Sequence, residues 1–181
     1  SGFTGQVAYS FGGAPAGDGA YSDDQDRILG LAGMYSNGPI GAGVVYHRVT
    51  NVGNVSSADS KDWALGGSYD FGVVKLMGLY NRHKDDAADT TDKTWTLGGQ
   101  VPVGAADTIY VGYTKLKADG SDMDAKGWAL QYSHNLSKRT MLYAGYSRIS
   151  NDDAATKAVS GITAAAGDSS TRFGVGMRHT F

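Results

Sequence analysis

The last eleven residues, Thr171-Arg-Phe-Gly-Val-Gly-Met-Arg-His-Thr-Phe181, alternate without a break. Phe173, Val175, Met177, His179 and Phe181 fall on one face, and Arg172, Gly174, Gly176, Arg178 and Thr180 on the other. Period-two alternation is the mark of a strand with two different environments. A terminal strand with large apolar groups on one face and small or charged groups on the other fits a barrel whose outside meets lipid and whose inside meets water. The expectation for the whole chain is therefore all-β, an antiparallel up-and-down transmembrane barrel in a single domain.

Working back from that strand, ten strand-like runs can be marked, at about 3–11, 26–36, 40–50, 61–70, 73–83, 93–103, 107–117, 124–135, 139–150 and 170–181. Their connectors alternate in length. Long ones, at 12–25, 51–60, 84–92, 118–123 and 151–169, are rich in Asp, Ala, Gly, Ser and Thr. Short ones are Asn37-Gly-Pro39, Phe71-Gly72, Gly104-Ala-Ala106 and Leu136-Ser-Lys138, with turn-forming residues in place. Outer-membrane barrels segregate short periplasmic turns from longer external loops in this way.

Composition agrees. Mean hydropathy is −0.30, and the absence of an apolar run near eighteen residues excludes a transmembrane helix but not a barrel, whose strands dilute their apolar residues with polar ones. Twenty-seven glycines disfavour helices, and the lack of Cys leaves no disulfide framework. A net charge of −2 makes no case for nucleic acid. All 18 acidic residues are Asp, and all but Asp70 and Asp107 sit in or beside the long loops.

Parity assigns the faces. Phe3, Val7, Tyr9 and Phe11 oppose Thr4, Gln6, Ala8 and Ser10. Trp63, Leu65 and Tyr69 oppose Asp62, Ala64, Gly66 and Ser68; Trp95, Leu97 and Val101 oppose Thr94, Thr96, Gly98 and Gln100; Trp128, Leu130 and Tyr132 oppose Gly127, Ala129, Gln131 and Ser133. The opposite face reads as small and polar. The second, fifth and ninth runs carry large residues at both parities, so Arg27, Arg48 and Arg148 stay unplaced. Trp63, Trp95, Trp128, Tyr35, Tyr46, Tyr69 and Tyr80 fit interfacial girdles. Gly38-Pro-Ile-Gly41-Ala-Gly43 opens a strand, not a helix, and so is no phosphate cradle.

The segment Gly127-Trp-Ala-Leu-Gln-Tyr-Ser-His-Asn-Leu-Ser-Lys-Arg-Thr-Met-Leu-Tyr-Ala-Gly-Tyr146, followed by Phe173–Phe181, resembles the C-terminal end of Gram-negative general porins, especially the beta-proteobacterial type. The hairpin Tyr132-Ser-His-Asn-Leu-Ser-Lys-Arg-Thr140 is its most specific part. Tyr69-Asp-Phe-Gly-Val-Val-Lys-Leu76 resembles a periplasmic hairpin of the same kind, and Gly2–Phe11 a mid-barrel strand. The resemblance implies a sixteen-stranded barrel, usually a homotrimer of about twice this length, of which this chain would hold the last ten strands. It further implies that the constriction loop and most of the trimer interface lie in the missing part. A complete ten-stranded barrel is the alternative.

On the porin reading the protein is not an enzyme: it is a water-filled passive channel for ions and small hydrophilic solutes. The expected lumen-facing residues are Lys75, Arg172 and Arg178 with the neutral Gln6, Thr96, Gln100 and Gln131, and three cations with almost no acid suggest an anion preference. Phe181, His179, Met177 and Val175 resemble the terminal signal read by the outer-membrane insertion machinery, although the family more often has Tyr or another aromatic at the position of His179. Partners expected with that reading are the lipid bilayer and lipopolysaccharide. No cofactor is expected, beyond weak Ca²⁺ at the Asp-rich loops 84–92 and 119–124. Two other classes compete: a protease-like rim site built on His83 and a loop Asp such as Asp85 or Asp86, and a soluble carbohydrate-binding sandwich, for which Tyr21 is almost the lone loop aromatic.

Overall fold

A computed structural model describes residues 2–12, 26–52 and 57–181. Ten strands form one antiparallel sheet ordered as in the sequence: β1 (Gly2–Ser10), β2 (Arg27–Asn37), β3 (Ile40–Thr50), β4 (Ser60–Asp70), β5 (Lys75–Asp85), β6 (Thr90–Val103), β7 (Asp107–Lys117), β8 (Ala125–Asn135), β9 (Thr140–Asn151) and β10 (Ser170–His179). Each neighbour in space is the neighbour in sequence, as an up-and-down meander requires. Tyr21 and most of the first long loop lie outside the described residues.

Most boundaries shift by one or two residues from expectation, and two places differ in a way that matters. β5 and β6 run on to Asp85 and back to Thr90, so the loop read at 84–92 shrinks to Asp86–Asp89. Asp85 closes it, its Oδ1 accepting the amides of Ala87 at 2.9 Å and Ala88 at 3.1 Å, while the side chain of Lys84 pairs with Asp89. Asp-rich composition marked a tight polar turn there, not a long loop. The last strand stops at His179, and beyond it the Thr180 amide donates to the Arg139 carbonyl at 2.9 Å.

By contact density the chain divides into two compact units, Ser1–Gly67 with Leu79–Lys93, and Ser68–Gly78 with Thr94–Phe181. Among the described residues neither has the interior of a water-soluble domain. Among the described residues the buried apolar side chains are Ala58, Ala125, Ala155 and Val159, all at or beside the long loops. Large apolar groups lie on the surface instead: Phe3 is 86% exposed and Val7 76% in the first unit, Phe173 69% and Val175 71% in the second. Apolar area turned outward at this density is stable only against lipid or a partner.

Turns follow their residues. At the β4–β5 connection Gly72 has φ +83°, the left-handed region where a side chain is strained, and its amide bonds Asp70 Oδ1 at 2.8 Å. Phe71 N closes on Val74 O at 2.9 Å.

Candidate functional site

Directly opposed residues in adjacent strands point to the same face, so the register settles what parity alone left open. In the first unit Phe3, Val7 and Tyr9 face Tyr35, Leu31 and Leu29, and Leu29 and Leu31 face Arg48 and Tyr46 on the other side. Arg27, opposite Thr50, follows, so Arg27 and Arg48 belong to the apolar face. In the second unit Trp128 stands opposite both Tyr113 and Arg148, which puts Arg148 on that face too.

The other face is the candidate site. In the second unit it runs through Thr108 and Ser133; Tyr110, Gln131, Gly145 and Gly174; Gly112, Ala129, Ser147 and Arg172; and Thr114 with Gly127. These rows are small, hydroxyl-bearing or amide-bearing, and they place Gln131 and Arg172 where parity expected them. Thr96 joins the same surface through a 3.0 Å hydroxyl contact with Thr114. A Cβ built on Gly98 would touch Met77, so Lys75 and Gln100, which share parity with those residues, face the same way. Arg178 lies opposite Met141 and is exposed. Tyr143 lies across Gly176, where a Cβ would overlap its ring.

In the first unit this face is less polar than expected. Gln6 stands opposite Ala32, as assigned, but Ile28, Met34, Val45 and Val49 share its surface. β2 and β3 put branched and thioether side chains at both parities, which is why their alternation reads poorly.

The last long loop leans over the site, a feature that sequence reasoning missed. Asn151 organises it, its Nδ2 donating to the carbonyls of Lys157 at 2.8 Å and Asp168 at 2.6 Å, while Oδ1 accepts the Lys157 amide at 3.0 Å. The Val159 amide bonds Ser170 Oγ at 3.0 Å, and Arg172 Nη1 donates to the Ser160 carbonyl at 2.8 Å. Between loop and sheet is a groove of 530 Å³ lined by Thr94, Thr114, Leu116, Ile149, Lys157 and Val159 among others. Arg172 is therefore a wall cation tied to a loop. Asn151 and Ser170, polar residues bracketing the loop, were the available signal.

The rim pairing also differs from expectation. His83 Nδ1 lies 2.9 Å from Oδ1 of Asp62 on the adjacent strand, not from a loop Asp. The carboxylates beside it are engaged elsewhere: Asp85 caps its turn, and Asp86 Oδ2 accepts from Lys61 Nζ at 2.5 Å. In the Asp119–Asp124 loop, Asp124 Oδ1 accepts the Ala118 amide at 3.1 Å. Among the described residues no group of three or more His, Cys, Asp or Glu is arranged to hold a metal ion.

At the C-terminus Val175, Met177 and His179 oppose Ala144, Leu142 and Thr140 on the apolar face. His179 Nδ1 lies 2.8 Å from Thr140 Oγ1, its ring meets that of Phe181 edge-on at 4.8 Å, and Phe181 is fully exposed.

Comparison with known proteins bears on these faces. Residues 1–154 match the family model described as Gram-negative porin. Outer membrane porin protein 32 of Delftia acidovorans is 35% identical over 191 residues, an alignment covering 95% of this chain and 54% of that protein. Among solved structures, OmpT, an outer membrane protein of Vibrio cholerae, superposes with a TM-score of 0.71 at 18% identity, covering 99% of this chain and 61% of that one. A trimer form of OmpT gives 0.64 at 17% identity, covering 98% and 64%. A solved porin gives 0.71 at 18% identity, covering 99% and 58%. The chain thus spans about half the length of the curated relative it matches.

Proposed function

Because the chain belongs to the Gram-negative porin family, a family of the bacterial outer membrane, we propose that its strands form part of the wall of a water-filled diffusion channel for ions and small hydrophilic solutes. The observation that carries this reading is the division of the faces in the second unit: large apolar side chains stand exposed at alternate positions, and mostly Gly, Ala, Ser, Thr and Gln line the reverse. Such a wall presents polar groups to water on one side and hydrocarbon to lipid on the other, and needs no chemistry to pass solutes.

The ten strands belong, on this reading, to a larger barrel, in keeping with the share of the relatives' length that they span. Homotrimers are proposed by analogy with the trimer form of OmpT. Lys75, Arg172 and Arg178, with Gln6, Thr96, Gln100 and Gln131, are proposed to line the lumen and to favour anions. The exposed Phe181, behind His179, Met177 and Val175, is proposed to be read by the barrel insertion machinery, and lipopolysaccharide to surround the outer face.

The test is conductance of the full-length protein in planar bilayers under a salt gradient. Stepwise ohmic conductance with a reversal potential on the anion side is expected, moved toward cations in the K75Q/R172Q/R178Q variant. Absence of conductance from a correctly inserted protein would overturn the channel reading, and a cation preference in the unaltered protein would overturn the lining assignment. Deleting Phe181 should lower the yield of assembled protein in cells, and an unchanged yield would remove its signalling role.

A further inference from the structure

The apolar face of the second unit ends, beside its long loops, in cations that a diffusion channel does not use. Lys115, near the end of β7, stands directly opposite Lys126, the second residue of β8. Arg148 of β9 stands opposite Trp128, one diagonal step from Lys126, whose own partner is Ser150. All three side chains are exposed. Like charges directly opposed in a sheet cost stability, and no acid among the described residues offsets them. Among the described residues none of the three has an ion-pair partner. The nearest acid in sequence, Asp124, gives Oδ1 to the Ala118 amide.

What lies beside them on the same face identifies the ligand. Tyr113 and Trp128 are opposed across β7 and β8, and the Trp128 and Tyr146 rings are 4.9 Å apart. Such rings sit at the headgroup level of a bilayer. Below them come Val111 opposite Leu130, an apolar surface for an acyl chain. Cation, aromatic ring and apolar side chain therefore follow one another along the strands in the order of phosphate, sugar and hydrocarbon in a phosphorylated glycolipid. A free anion would need only the first.

We propose that Lys115, Lys126 and Arg148 form a binding site for the phosphorylated headgroup of an outer-leaflet lipid, its phosphates bridging cations that otherwise repel. The site rests on the reading of this face as lipid-facing, and it gives the proposed lipopolysaccharide contact a place on the chain.

The experiment measures binding of the full-length protein to phosphatidylcholine vesicles containing lipid A with both phosphates, or lipid A with its phosphates removed. Membrane insertion is followed separately by heat-modifiable migration and conductance. The unaltered protein should prefer the phosphorylated lipid. K126Q should lose about fivefold of that preference, and K115Q/K126Q/R148Q about a hundredfold, with insertion intact. K138Q/R139Q, which removes charge at a short turn, should lose none. An unchanged preference in the triple variant, an equal loss in K138Q/R139Q, or full displacement of the lipid by millimolar inorganic phosphate would each overturn the site. Failure of the unaltered protein to insert into either vesicle would instead overturn the membrane reading.

Discussion

The loop-side ends of β3–β5 and of β7–β9 both carry cations at positions of the apolar face, yet the chain treats them in opposite ways. In the first region three cations have an acid folded back onto them. Arg48 Nε donates to Asp59 Oδ2 at 3.0 Å, Lys61 Nζ to Asp86 Oδ2 at 2.5 Å, and Lys84 pairs with Asp89. The same acids hold the backbone, since Asp59 Oδ1 accepts the Asn51 amide at 3.2 Å and its carbonyl accepts the Asp86 amide at 2.8 Å. In the second region Lys115, Lys126 and Arg148 face outward with no such acid among the described residues. The contrast is between these two sets of three cations and not between whole units, for Arg82 of β5 and Lys93 of β6 also lack an ion pair among the described residues. A loop-end cation is thus either a tie for its own loop or a free charge for something outside. The choice is made by where the nearby Asp side chains fold.

The largest break in this comparison should come from Asp59, which is only 7% exposed. D59A would strand the Arg48 guanidinium and the Asn51 amide together, at a cost of about 1–3 kcal/mol for a buried acceptor lost from its donors. Thermal unfolding of the full-length protein in neutral detergent measures it. If D59A melts with the unaltered protein, the ion pair is not what holds that loop.

K126Q in the same neutral detergent should do the reverse. With no partner to lose and one like-charge opposition removed, stability should rise by about 0.2–1 kcal/mol. Adding phosphorylated lipid should erase or invert the gain, because the unaltered protein then acquires the counter-charge. A loss of stability for K126Q without lipid would mean that an acid reaches Lys126 after all, and the two regions would be alike.

That distinction was outside what the sequence makes legible. Alternation read the faces of β1, β4, β6, β8 and β10 correctly because there the large side chains keep one parity, as in Trp95 and Leu97 against Thr96 and Gly98. It failed for Arg27, Arg48 and Arg148 because β2, β3 and β9 put Ile28 and Met34, Val45 and Val49, or Met141 and Tyr143, on the reverse face; only hydrogen-bonded register supplies the missing constraint. Ion pairs such as Lys61 with Asp86 join residues far apart in sequence, one on β4 and one in the turn after β5, and no local pattern encodes them. Residue composition found every connection but misjudged Asp86–Asp89, where acids cap a short turn instead of populating a long loop. The fold of the last loop over the site was equally hidden, since it hangs on bonds from Asn151 to residues as distant as Asp168.

Acid should sharpen the comparison in one direction only. The hydrogen bond from Arg48 holds the Asp59 carboxyl below the usual carboxylate range, with the Asn51 amide and the nearby charges of Arg48 and Lys61 adding to it and burial working against it. A folded-state pKa below the unfolded one means a contribution fully present above the ordinary value of about 4 and lost as pH falls toward the folded value. Hydrogen exchange at the Asn51 and Asp86 amides should therefore stay slow through mildly acidic solution and quicken only below about pH 4. No carboxylate ties Lys115, Lys126 or Arg148 among the described residues, so amides of β7 and β8 beside them should show no matching transition. Quickening at both places together would mean global unfolding and not loss of one tie.

The smallest effect should be at Asp89, and its smallness is informative. Its carboxyl is also held below the usual range, by the hydrogen bond from Lys84, but it is open to solvent, where an ion pair is screened and contributes little. Asp89 has a φ of 52°, a left-handed conformation that Asn tolerates as well as Asp does. D89N therefore removes the charge and leaves the backbone preference, and its melting temperature should match that of the unaltered protein. D89A keeps neither, so any loss seen in D89A but not in D89N comes from the turn and not from the pair. If D89N instead destabilised as D59A does, exposure would not govern which ties matter. The free cations of β7–β9 could then not be set apart by their missing partners.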